Sequence, residues 1–219
     1  LAVNKIMNTY KAKDLDLQKI GINNNLVISR NLSYQDLVSD IVNNGEGHIA
    51  SSGAAMIDSG KYTGRSPKDK YIVDESSSND KIWWGEVNQR VSEIIFDQLY
   101  SQVIEYYNNS KTKTYIFDGF AGAEKAYSLS VRFLVKKAWQ AHFVNNMFIR
   151  PETDQLNNFS ADFTIINASD VKNLDYKVHG MNSEAFVIFH LERKIAIIGG
   201  TEYGGEMKKG IFSVLHYIL

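Results

Sequence analysis

The sequence predicts an α/β (or α+β) fold: one mixed β-sheet with flanking helices. Short apolar runs of four or five residues recur, as buried strands do, and segments with helical spacing lie between them. No internal repeat or low-complexity linker breaks the chain, and 219 residues with 44% hydrophobic content can bury a substantial core. One domain over residues 1–219 is expected.

Taken in order, residues 1–8 carry no pattern before the polar-apolar run from Leu15 to Ile20. Residues 54–57 read as a strand running into a turn at Ser59-Gly60, and Tyr71-Ile-Val73 as a second strand after a basic loop. Residues 76–80, Ser-Ser-Ser-Asn-Asp, read as an ordinary surface loop. Val91, Ile94, Ile95, Leu99 and Val103 fall at helical spacing. Residues 114–117 and 127–133 show β-branched and aromatic runs or alternation and read as strands. Trp139, His142, Phe143 and Met147 predict a helix ending before Pro151, which disfavours helical geometry at Arg150. Three apolar runs follow at 163–166, 185–189 and 195–198, the last stopping at Gly199-Gly200. The apolar segment 211–219 ends without a capping glycine or polar tail, the pattern expected of a chain that continues.

Composition narrows the chemistry. The net charge of −1, with basic residues spread along the chain, argues against nucleic-acid binding by bulk electrostatics. No apolar run approaches the length of a membrane span, and no signal-peptide core opens the chain, so neither a membrane nor a secretory role is expected. With no cysteine, disulfides, thiolate nucleophiles and cysteine metal sites are excluded, and a cytoplasmic protein is the expectation. The histidines at 48, 142, 179, 190 and 216 show no metal-binding spacing. No Gly-x-x-x-x-Gly-Lys-[Ser/Thr] phosphate loop and no Gly-x-Ser-x-Gly elbow occurs.

Two loops remain as sites of anion chemistry. In residues 63–70 the Arg65 guanidinium offers a planar fork for a carboxylate or phosphate, with a solvated basic turn as the competing reading. Lys68 and Lys70 flank Asp69 and read as ordinary surface pairs. In residues 203–212 Tyr203 can donate to an oxyanion, Gly204 and Gly205 let backbone approach a ligand, and Lys208 and Lys209 supply positive charge. A plain helix entry explains these residues less well, because cations are unfavourable at the positive end of a helix dipole.

The strings at 60–73, 130–133, 138–144, 146–151 and 199–212 resemble the ATP-type phosphoenolpyruvate carboxykinases, specifically their N-terminal, substrate-side domain, in order from about residue 45 to the last. The resemblance implies a gluconeogenic lyase, a decarboxylase that converts oxaloacetate and ATP into phosphoenolpyruvate, ADP and CO2. Its implied cofactors are a magnesium ion on the nucleotide and a manganese ion in the active site. Arg65 would bind the substrate carboxylate or CO2, Tyr203 would contact substrate or CO2, and Lys209 would reach both the manganese and the transferred phosphoryl group. Gly205 and Lys208 would complete the substrate contacts. A metal-ligating lysine must be neutral, so the role of Lys209 requires a depressed pKa. The family's P-loop domain, manganese-binding histidine, metal-binding aspartate and second substrate arginine have no counterpart in this sequence, and His216 lies too early to be that histidine. The chain alone is therefore expected to be inactive. A free-standing small-anion-binding module that lost the kinase half is the alternative.

Overall fold

A computed structural model describes residues 8–219; the unpatterned residues 1–7 lie outside it. The strands are β1 Thr9–Lys11, β2 Val27–Arg30, β3 Gly47–Ile49, β4 Ala55–Ile57, β5 Lys70–Val73, β6 Gln89–Val91, β7 Thr114–Ala121, β8 Leu129–Val135, β9 Phe163–Ala168, β10 Phe186–His190 and β11 Ile195–Gly199. The helices are α1 Tyr34–Asn43, α2 Glu93–Asn109, α3 Ala138–Met147, α4 Thr153–Asn157 and α5 Gly205–Ile218. Nine strands form one mixed sheet in the order β1-β2-β7-β8-β9-β11-β10-β5-β6, and β3 and β4 pair as a separate ribbon.

Because side chains alternate across a strand, the sheet feeds two cores. Tyr115, Phe117, Val131, Phe133, Val187, Phe189, Ala196 and Ile198 face one side, where α1, α3 and α5 bring Leu37, Ile41, Ala141, Val144, Met207, Ile211 and Val214. Ile116, Leu134, Ile166, Ile188 and Ile197 face the other, covered by Phe96, Leu99, Val103 and Tyr107 of α2. This is the expected α/β architecture, with helices on both faces of a mixed sheet.

The boundaries differ from the sequence reading in three places. Val91 ends strand β6, and the helix begins only after Ser92, whose hydroxyl accepts the Ile95 N–H at 3.3 Å. Tyr127 sits in a 3-10 turn, exposed, two residues before β8 begins. The 76–80 segment is no plain surface loop: Ser78 is buried, and the Ser77 and Ser78 hydroxyls both donate to Glu75.

One buried ionic cluster crosses the β2-β7-β8 strands. Asp118 on β7 accepts from Arg30 Nε at 2.8 Å, and from Arg132 Nε and Nη2 at 2.7 and 2.8 Å. The guanidiniums also donate to the Leu156 and Leu15 carbonyls, which stitches two chain crossings to the sheet.

Candidate functional site

Strand direction brings the two basic loops together. β5 runs parallel to β10, with Lys70 opposite Val187, while β10 runs antiparallel to β11, with Phe186 opposite Gly199. The start of β5 therefore meets the end of β11, so the loop entering β5 and the loop leaving β11 lie at one sheet edge. Arg65 sits in the first, and α5 grows from the second.

Between them is a cleft of about 270 Å³ lined by Arg65, Pro67, Lys70, Val87, Val187, Phe189, Glu206, Lys209, Gly210, Phe212 and Ser213. Arg65 and Lys209 share it although they are far apart in sequence. Asp69 holds the Arg65 loop from beneath: it accepts from Ser66 Oγ, from Asn182 Nδ2 at 2.9 Å and from Ser183 Oγ at 2.9 Å. Across the cleft, Glu206 in the first turn of α5 accepts the Ser66 N–H at 2.6 Å. Burial pushes the Glu206 carboxyl above its usual range, while the Ser66 N–H and the cations of Arg65 and Lys70 pull it back. The Lys209 ammonium lies 4.8 Å from the Phe212 ring centroid.

Lys70 differs from the surface-pair reading. Asp69 is buried and turned toward Asn182 and Ser183, so it does not neutralise its neighbours at the surface. Lys70 instead lines the cleft and donates to Asn88 Oδ1 at 3.0 Å. Burial and then Arg65 lower its pKa, and Glu206 opposes them.

The other sequence-selected residues spread around the mouth of α5. Lys208 is exposed and lines an adjoining groove of about 220 Å³ with Met147, Phe148, Ile149 and Leu215, a groove that Lys209 also borders. Tyr203 is half-buried outside the cleft lining, its backbone N–H donating to Thr201 Oγ1 at 3.2 Å. The glycines beside it also sit in close packing. A Cβ on Gly205 would lie 2.4 Å from the Tyr203 ring, and one on Gly204 would lie 3.1 Å from the Phe143 ring. Helix α5 starts at Gly205, so Lys208 closes its first turn and Lys209 lies beyond it, where the dipole disfavours a cation less. Of the final apolar segment, Ile211 and Val214 are buried, whereas Phe212, Tyr217, Ile218 and Leu219 are exposed.

Metal ligation needs more than this cleft contains. Among the described residues, no three His, Asp or Glu side chains converge as an ion cage, and Lys209 by itself is at most one ligand.

Comparison with known proteins decides the family. A family model described as phosphoenolpyruvate carboxykinase, in its ATP form, matches residues 27–219. The chain belongs to the ATP-type phosphoenolpyruvate carboxykinase family. The phosphoenolpyruvate carboxykinase (ATP) of Leptospira biflexa is 55% identical over 192 residues, covering 88% of this chain and 36% of the relative. Those of Campylobacter lari and Sulfurimonas denitrificans are each 47% identical, over 203 and 204 residues, covering 93% of this chain and 38% of the relative. The chain thus spans little more than a third of the length of the curated carboxykinases it matches. No helix among the described residues is long and apolar enough to cross a membrane.

Proposed function

We propose that this chain is the substrate-side, N-terminal domain of an ATP-dependent phosphoenolpyruvate carboxykinase, and that the Arg65–Lys209 cleft is the wall that grips oxaloacetate. The observation that carries the reading is the convergence of these two cations, one from the loop before β5 and one from helix α5, on one cleft. Arg65, Lys70 and Lys209 against the single carboxylate Glu206 give the cleft a formal excess of two positive charges, which suits a small dianion.

In the proposed reaction the C–C bond to the departing carboxylate breaks and CO2 leaves. The electron pair becomes an enolate, whose oxygen attacks the γ-phosphorus of ATP, and ADP is released. Arg65 holds a substrate carboxylate, and the released CO2, through its planar fork. Lys209 offers positive charge where the enolate oxygen and the transferred phosphoryl group develop charge. Tyr203, Gly205 and Lys208 belong to the outer rim of this reading, with the Tyr203 hydroxyl as a donor to substrate or CO2 once the site closes. ATP, its magnesium and a manganese ion at Lys209 complete the proposed cofactor set. The residues present do not form an ion cage, so no step assigned to this chain runs through a metal. The missing nucleotide-binding domain is the proposed partner of the open cleft, and cytoplasmic gluconeogenesis the proposed setting.

The test is Arg65→Gln in the full-length protein that carries this sequence. Loss of one charge-assisted bidentate contact, about 1.5–3 kcal/mol, lowers kcat/KM for oxaloacetate by about 10- to 150-fold with the fold intact. Lys209→Arg also lowers kcat, because a bulky planar guanidinium cannot place its charge where the compact ammonium does. Oxaloacetate kinetics unchanged by Arg65→Gln would return the loop to a solvated basic turn. ATP-dependent turnover by the 219-residue chain alone would refute its role as one half of a site.

A further inference from the structure

We infer that Glu206 is a positioning residue: its carboxylate clasps the Arg65 loop to helix α5 and so sets the guanidinium relative to Lys209. The inference rests on the carboxykinase reading of the cleft and adds a residue which that reading did not need.

Glu206 is only 6% exposed, although carboxylates are seldom buried without a partner. A negative charge also weakens a cleft meant for anions, so its presence there calls for a compensating role. The structure supplies one in the 2.6 Å hydrogen bond from the Ser66 backbone N–H, which joins segments 140 residues apart. Ser66 directly follows Arg65, so this bond fixes the backbone that carries the guanidinium. Glu206 and Lys209 stand three residues apart on α5, on the same helical face, and both line the cleft. The clasp therefore relates Arg65 to Lys209 through one peptide unit and one helical turn. Asp69 anchors the far end of the same loop to Asn182 and Ser183. The loop is thus held at Ser66 and at Asp69, and the Ser66–Glu206 bond refers it to the helix that carries Lys209.

The experiment compares Glu206→Gln and Glu206→Asp in the full-length protein, each with and without Arg65→Gln, reading kcat and KM for oxaloacetate together with thermal melting. Gln keeps an oxygen acceptor at the same reach, and kcat/KM stays within about threefold of wild type. Asp keeps the charge but falls one methylene short, and kcat/KM drops about tenfold, the equivalent of one charge-assisted contact. In the Arg65→Gln background the Asp substitution adds almost nothing, because the group it positions has gone. A merely structural role predicts the opposite: an equal further loss in that background, tracking the melting temperature. Activity retained by Asp and lost by Gln would overturn the clasp in favour of a charge effect. If Arg65→Gln alone leaves oxaloacetate kinetics unchanged, the carboxykinase reading of the cleft fails; if Arg65→Gln is damaging while Glu206→Asp is silent, only the clasp fails.

Discussion

Replacing Asp118 with asparagine removes one charge and little volume, yet it strands two guanidiniums inside the protein. Arg30 and Arg132 are 5% and 8% exposed, and Asp118 is fully buried between them. The carboxylate accepts from both Nε atoms and also lies 2.7 Å from Arg30 Nη2 and 2.8 Å from Arg132 Nη2. Asparagine keeps one acceptor oxygen and turns an NH2 group toward donors. Breaking a buried pair from one side costs about 3–5 kcal/mol, because the cations left behind are uncompensated. Against a typical stability of about 5–15 kcal/mol that is a large share. At about 2–4 °C per kcal/mol for a chain of this size, the melting temperature falls on the order of 10 °C. Urea denaturation of wild type, Asp118→Asn, Arg132→Met and the double variant measures both the loss and the coupling. The double variant, which leaves one cation and no anion, should recover part of the Asp118→Asn loss. A cost below about 1 kcal/mol for Asp118→Asn, with no recovery in the double variant, would show that water or relaxation satisfies the arginines and that the cluster does not hold the strands in register.

Gly199→Ala places a Cβ 2.3 Å from the Phe186 ring and 2.6 Å from the Val171 carbonyl, which cannot swing away. It should lower stability by about 1–3 kcal/mol, whereas Gly64→Ala, with open space around it, should stay within about 0.5 kcal/mol; equal urea midpoints would refute the packing account. His190 is fully buried, donates to Glu93 Oε1 at 3.2 Å and accepts the Arg193 N–H, and its pKa is lowered by burial first and by Arg193 second. Below about pH 6.5 the unfolded chain takes up a proton that the folded chain resists, so this residue removes stability as pH falls. The stability difference between wild type and His190→Gln should therefore shift in favour of the variant between pH 7.5 and 5.5; a pH-independent difference would contradict it.

Much of the fold was legible because parallel and central strands read as short apolar runs, as at 163–166, 185–189 and 195–198, and helical spacing marked α3, although its buried face proves to be Ala138, Trp139, Ala141 and Val144 while Met147 is exposed. What escaped was where one period gives way to another. Val91 fits the apolar face of α2, yet Ser92 caps that helix and leaves Val91 to pair beside β5. Strand β2 and helix α1 were missed; the signal was there in Ser33, whose hydroxyl accepts the Asp36 N–H at 3.1 Å at the helix start. The Arg30, Asp118 and Arg132 cluster drew no notice, because nothing local shows that three charges from different strands meet and partly neutralise one another. The same limit hid Lys70 and Glu206, whose meaning depends on which loop each faces. Arg65 and Lys209 stood out through the motifs around them, and two basic loops suggest one cleft built from distant parts of the chain; strand order supplies the reason these two meet, while Tyr203, expected on the same surface, lies outside the lining.

That strand order also sets a timetable for a chain being synthesised. The strand behind Arg65, β5, borders β10 and β6 and does not touch β7 or β8, and its Lys70 pairs with Val187, about 120 residues later. Translation at about 5–20 residues per second therefore leaves β5 without its inner neighbour for about 6–24 s after it emerges. The hairpin of β7 and β8 can close first, since its partners are adjacent in sequence. Throughout that interval the apolar residues Tyr71, Ile72 and Val73 are a segment that a chaperone, or a second nascent chain, can seize. Slowing the ribosome just after β5 should increase aggregation, while slowing it after β11 should not.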